Sequence, residues 1–217
     1  MNKRERKDRL ILAALGHVPF DGWSLGALRR GASESGLDEG EVELLFPYGR
    51  RQVIEHFADL ADRYLVEDLD CTDIGSLRIR ERIAAVVRTR LERWTPHREA
   101  LRQAVGLSLL PGGMKDTLGN LFKTVDIMWK AAGDRSTDYN YYSKRGLLAG
   151  VYSSTVLFWL NDRSSNCSET WAFLDRRIED VMKLGHVKKG IQESANTLPY
   201  PFCIFRSVGR ARSSAMK

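Results

Sequence analysis

The sequence predicts an all-α protein, and three observations predict it. Apolar residues recur at spacings of three and four along most of the chain. No stretch alternates with the period of two that a half-buried strand needs. Glycines and small polar residues stand where such helices would stop and start.

Taken in order, the pattern gives about nine helices, near 3–16, 24–35, 39–46, 50–67, 75–94, 97–110, 115–132, 137–161 and 169–184. The first ends near Gly16. The second starts at Ser24, and Gly36 sits at the tight turn that follows it. Leu45 and Phe46 precede the amphipathic helix 50–67. Ile79, Ile83, Val86, Val87, Leu91 and Trp94 form a stripe opposite an arginine-rich face. Leu118, Leu121, Phe122, Val125, Trp129 and Ala132 form another, closed by Gly133. Trp171, Leu174, Ile178, Val181 and Met182 form the last, which Gly185 is expected to stop. Helix 137–161 is different. Leu148, Val151, Tyr152, Thr155, Phe158 and Trp159 make one stripe, yet Val156, Leu157 and Leu160 are apolar on the other side. All-round apolarity calls for burial on several faces, by core, by a partner chain or by a ligand.

Composition narrows the function classes. A chain of 217 residues is long enough to bury a core. No segment reaches the roughly 18 uninterrupted apolar residues of a membrane span. The start, "MNKRERKDRLILAALGHV", mixes acids with bases and reads as neither signal nor transit peptide. Cys71, Cys167 and Cys203 are too scattered for a disulfide framework or a zinc site, and suggest a reducing compartment. The net charge of +6 sits at the ends: residues 1–10 carry +3 and residues 186–217 carry +5, leaving −2 between them. Such basic tails suit an anionic membrane surface or nucleic acid equally.

No catalytic constellation emerges. His17, His56, His97 and His186 lie in separate segments without metal-ligand spacing, and no P-loop, dinucleotide fingerprint or nucleophile elbow is present. "LPGGMKD" lacks the Lys-Ser/Thr that a phosphate cradle requires, and Asp126, Asp134 and Asp138 are unevenly spaced.

The segment "RLILAALGHVPFDGWSLGALRRGASESGLDEGEVELLFPYGRRQVIEHFADLAD" resembles the three-helix DNA-binding module of TetR-type repressors. That resemblance implies a helix-turn-helix over residues 1–67, a helical ligand-binding and dimerisation body over 68–185, and a recognition helix in the major groove. The residues of that helix argue against the last point. "LDEGEVELLF" carries Asp38, Glu39, Glu41 and Glu43 and no base, so it would repel phosphates. No specific nucleic-acid partner is expected, although a TetR-type repressor with an apolar inducer stays open as the alternative.

"GDRSTDYNYYSKR", residues 133–145, packs three tyrosines, two carboxylates and bases between oily helices. Gly133 with Ser136, Thr137 or Asp138 explains a capped turn. Tyr139, Tyr141, Tyr142, Lys144 and Arg145 go beyond one, and bases there oppose the helix dipole.

Together, "ILAALGHVPFDGWS" (11–24), "LFPYG" (45–49), the stretch from Val125 to Leu160 and "TWAFLDRRIEDVM" (170–182) resemble the ubiquinone-biosynthesis accessory family, coenzyme Q biosynthesis protein nine. The resemblance implies a TetR-like, dimeric, non-enzymatic protein with no cofactor. It implies that polyprenyl quinone precursors, or a phospholipid, are bound and presented to the demethoxyubiquinone hydroxylase. Its partner patch would fall on Asp126, Met128, Asp138, Tyr141, Tyr142 and Arg145, read as a surface spot, with Tyr141 where the family usually has tryptophan. With the doubled stripe, it places a lipid cavity among Leu107, Leu110 and Met114, then Leu118, Leu121, Phe122, Val125 and Trp129, then Leu148, Val151, Tyr152, Thr155, Phe158 and Trp159. Relatives commonly end in a membrane-binding amphipathic helix. Here residues 186–217 hold Pro199 and Pro201, then Phe202, Ile204 and Phe205 with arginines. The expected location is a bacterial-type cytoplasm, peripheral on the inner membrane.

Overall fold

The computed structural model describes residues 1–108, 110, 114–134 and 140–197. Among them it is all-helical: α1 (Lys3–Ala14), α2 (Val18–Asp21), α3 (Leu25–Ser35), α4 (Glu41–Leu45), α5 (Arg50–Asp70), α6 (Ile79–Arg93), α7 (Arg98–Ser108), α8 (Met114–Ala131), α9 (Asn140–Asn161) and α10 (Ser168–Thr197). Single 3₁₀ turns at Thr95–His97 and Ser165–Cys167 lead into α7 and α10.

Both ends of α3 carry capping chemistry, whereas the cap candidates Ser136, Thr137 and Asp138 lie outside the described residues. The Ser24 hydroxyl accepts from the Ala27 amide at 3.1 Å, and Gly36 ends α3 at φ 70°, a left-handed conformation suited to glycine. The short α2 lies between the first two expected helices, where no element was expected. Pro19 in its first turn and Gly22 at φ 68° bracket it. Helix α6 starts later than expected, because residues 75–78 form a loop whose carbonyls at Gly75 and Leu77 accept from the Arg82 guanidinium. Helix α10 runs on through Gly185, where a stop was expected. A mid-helix glycine costs about 1 kcal/mol relative to alanine and does not by itself end a helix.

Residues Met1–Ile178 form one compact unit, and Glu179 onward belongs to a second. In the first unit α5 is the axis. It crosses residue 67, the expected edge of the three-helix module, and packs against α1, α6 and α8. An aromatic chain joins the module to the body. Trp23 lies 5.2 Å from Phe57, Phe57 lies 4.8 Å edge-on to Trp94, and the Trp23 indole donates to the Ala100 carbonyl of α7 at 2.9 Å. Ion pairs bind the outside: Asp59 on α5 meets Arg4 of α1 and Lys123 of α8, each at 2.7 Å.

Candidate functional site

Two places gather the residues singled out in the sequence: the junction of α8 with α9, and a pocket bounded by α5 to α9.

At the junction, Gly133 closes α8 with φ 89°. Asp126 is the centre. It accepts from the Tyr141 hydroxyl at 2.9 Å and from Arg145 Nε at 2.6 Å, and pairs with Lys130 at 2.7 Å. Against the burial that opposes its charge, bonds from Lys130, Arg145 and Tyr141 hold its carboxyl down at about 2. The Arg145 guanidinium stacks on the Tyr141 ring at 3.3 Å, and a second carboxylate, Asp134, lies at 3.5 Å. Lys144 pairs with Asp134 at 2.8 Å, while the Trp129 indole donates to the Lys144 carbonyl. The bases in the first turns of α9 therefore sit opposite carboxylates of the preceding helix and turn, which offsets their clash with the helix dipole.

This geometry corrects the expected surface patch in two places. Met128 has no exposure at all, and Arg145 only 4%. Met128 points inward because it continues the Val125 face of α8, and Arg145 is drawn in by its carboxylates and the Tyr141 ring. Tyr141 is half-buried. Tyr142, 77% exposed, stands edge-on to Tyr141 at 5.1 Å and is the prominent surface ring here. Asp138 lies outside the described residues.

The pocket has a volume of about 190 Å³. Phe57, Leu91, Trp94, Leu101, Leu121 and Val156 supply apolar wall, and Arg90, Thr124 and Tyr152 supply polar wall. Arg90 is buried. Its Nη1 donates to Asp62 at 2.6 Å and its Nε to the Tyr152 hydroxyl at 2.9 Å, while Thr124 donates to Asp62 at 2.9 Å. Burial works against the Arg90 cation, but Tyr152 and Asp62 together hold its pKa above the ordinary value. A neighbouring groove of about 270 Å³ shares Ile54, Ser108, Thr117 and Asn120 with the pocket, and adds Arg50, Arg51, Leu107 and Leu110.

The residues expected to line a lipid cavity are thus divided. Leu121 and Tyr152 line the pocket, and Leu107 and Leu110 line the groove. Val125, Leu148, Val151, Thr155 and Trp159 are buried and line neither space. Phe158 stacks on Phe173 of α10 at 4.6 Å, and Trp129 faces the α8–α9 junction. Met114, Leu118 and Phe122 are exposed along the outer side of α8. Helical spacing identifies an apolar face without saying whether core, cavity or partner covers it. The sequence reading missed Arg90 and Asp62. Their signal was register: Arg90 falls on the same stripe as Val86, Val87, Leu91 and Trp94.

In the three-helix module the acids behave as surface groups. Asp38, Glu39 and Glu43 are exposed, Glu43 pairs with Arg29, and Glu41 pairs with Arg6. Helix α4 itself spans only Glu41–Leu45.

Comparison with known proteins follows this geometry. The COQ9 family model matches residues 114–185, which take in α8, α9 and the first part of α10. The rat protein named "Ubiquinone biosynthesis protein COQ9, mitochondrial" is 33% identical over 204 residues, covering 91% of this chain and 65% of that protein. The Xenopus laevis protein COQ9-B is 31% identical over 204 residues, covering 91% of this chain and 69% of its own. The chain belongs to the COQ9 family. It spans just under two thirds of the rat protein's length. A TetR transcriptional regulator from Nitrosomonas europaea superposes with a TM-score of 0.65 at 21% identity, over 80% of this chain and 95% of the regulator. The fold of this COQ9 chain is therefore TetR-like. Both COQ9 relatives are named as mitochondrial, which overturns the expectation of a bacterial-type cytoplasmic protein on an inner membrane. That expectation rested on the composition of the first eighteen residues and on three scattered cysteines.

Proposed function

We propose that this COQ9-family chain is a non-enzymatic, lipid-binding accessory protein of ubiquinone biosynthesis. It holds a polyprenyl quinone precursor, or a phospholipid, and presents it at a membrane surface to a modifying enzyme such as the demethoxyubiquinone hydroxylase. It acts without a cofactor, as a homodimer, in the mitochondrial setting named for its relatives.

The observation that carries this reading is an apolar-walled pocket bounded by α5 to α9 in a chain of this family. The pocket's remaining walls are polar, the arrangement of a site that orients a small organic ligand. The α8–α9 junction supports docking of a partner: the exposed Tyr142 ring is braced by Tyr141, which is itself fixed by Asp126 and Arg145. A rigid aromatic on a supported surface is what an interface anchor requires. No helix among the described residues is long and apolar enough to cross a membrane, so the proposed membrane contact is peripheral.

The test is native mass spectrometry of the purified protein, followed by denaturation and lipid analysis. Release of a prenylated quinone precursor or a phospholipid is the expected result. Protein that arrives empty, and stays empty after incubation with prenyl quinone vesicles, overturns the reading.

A further inference from the structure

We propose that the outer side of α8, from Met114 to Phe122, rests on a membrane, and that the membrane it fits is an anionic bilayer. The proposal rests on the lipid-binding reading above and adds the face that meets the bilayer.

Apolar exposure is the first argument. Met114, Leu118 and Phe122 stand on successive turns of α8 and are 56%, 48% and 47% exposed. No other described helix exposes large apolar side chains on three successive turns. The inner side of α8 is buried in the core through Val125 and Met128. A helix that is apolar on both sides, with one side uncovered, is made to lie at the boundary between headgroups and acyl chains.

Charge is the second argument, and it selects the occupant. On the side of α1 and α5, cations outnumber acids beside the apolar stripe. Asp59 is shared by Arg4, Arg63 and Lys123 of α8, and Arg63 also pairs with Asp8. Arg51 pairs with Asp116 at the start of α8. Arg50 and Glu55 line the groove beside them, and Lys7 lies in the field of Glu55. Six cations (Arg4, Lys7, Arg50, Arg51, Arg63 and Lys123) thus meet four carboxylates (Asp8, Glu55, Asp59 and Asp116). An apolar stripe with a positive flank is what the surface of an anionic bilayer attracts.

Position is the third. Thr117, Asn120, Leu121 and Thr124 of the same helix line the pocket. A lipid passing between bilayer and pocket therefore has a single helix to get past, roughly 10 Å across.

The experiment uses the full chain and vesicles of phosphatidylcholine with and without phosphatidylglycerol, read by co-sedimentation. Wild type should bind the anionic vesicles, and less so as salt rises. The double variant Leu118→Glu, Phe122→Glu should bind them about thirtyfold more weakly. Leu44→Glu, which charges an exposed leucine of α4, should bind like wild type. Should the double variant fail to fold, Phe122→Trp decides, because it keeps a ring at the site. Quenching of its emission by brominated lipid beyond the wild-type level supports the contact, and equal quenching overturns it. Undiminished vesicle binding by a folded double variant overturns the proposal, and so does a wild type that ignores the vesicles. If that variant keeps vesicle binding and loses capture of the hydroxylase, this face is a protein interface and the proposal is wrong. Lipid content is measured separately. A chain that carries lipid without using α8 loses only this proposal, whereas a chain that stays empty removes the reading beneath it.

Discussion

Gly31 of α3 lies so close to Ala14 of α1 that a Cβ added to it would meet the Ala14 backbone nitrogen at 2.7 Å and its Cα at 2.9 Å. The neighbour is helix backbone, which cannot swing aside as a side chain can. The substitution Gly31→Ala must therefore push α1 and α3 apart. It should cost about 1–3 kcal/mol of stability, in spite of alanine's better helix propensity. Urea unfolding of the variant reads this directly, and a gain in stability would show that the two helices pack more loosely than described.

At the α8–α9 junction, stability and partner binding should separate by residue. Met128→Ala empties a fully buried site and should cost about 2–5 kcal/mol. Arg145→Ala strips a buried cation from Asp126 and Asp134 and should cost about 3 kcal/mol. Tyr142→Ala removes an exposed ring and should change stability by about 1 kcal/mol or less. If this surface docks the hydroxylase, Tyr142→Ala should nevertheless weaken capture of that enzyme about thirtyfold. Melting curves and pull-down on the same three variants make the comparison. Equal capture by wild type and Tyr142→Ala removes this face as the docking site.

Acid should destabilise the fold in a defined window. Asp126 and Asp162 are both held down at about 2. For Asp162, bonds from Ser164 and Thr170 prevail over the burial that opposes its charge. An unfolded aspartate titrates near ~3.9. A depressed carboxyl contributes its stability above the unfolded value and loses it as pH falls through the folded one. These two groups should leave stability flat from about pH 5 to 7 and reduce it steadily from about pH 4 towards 2. Chemical denaturation across that range should show a shallower acid slope for Asp162→Asn than for wild type.

Duplex DNA should not be bound with sequence preference, despite the TetR-like fold. Asp38, Glu39 and Glu43 stand exposed around α4 and would face phosphates at close range. Weak binding through basic segments should disappear near physiological salt. A footprint on a palindromic operator at nanomolar protein would falsify this.

The architecture was legible in the sequence wherever a stripe ran long and an end was marked. Ser24 and Gly36 bounded α3, and Gly133 closed α8, because each residue has one dominant local role. Gly185 misled because glycine punctuates only when the backbone beyond it turns. The polar cluster at the α8–α9 junction was half legible. The residue types at Asp126, Tyr141 and Arg145 announced a polar aromatic cluster, but nothing in spacing shows that Arg145 folds inward onto two carboxylates. The pocket was hardest to see. Its apolar walls look like any core, and its distinguishing residues, Arg90 and Asp62, are isolated charges on otherwise apolar faces. An arginine in register with Val86, Val87 and Leu91 on an arginine-rich helix is easily read as one more solvated base.

The chain of rings from Trp23 through Phe57 to Trp94 has a consequence for how the molecule comes apart. Phe57 is at once a wall of the pocket and the joint between the first three helices and the rest, with Trp23 also tied to α7 through the Ala100 carbonyl. Neither half can open without unstacking the other. Residues Met1–Ile178 are therefore built to melt as one cooperative transition, in which tryptophan emission and helical circular dichroism fall together. A fragment ending at residue 67 would lack Trp94 and Ala100, leave the Trp23 and Phe57 rings without their cover, and find no stable fold of its own.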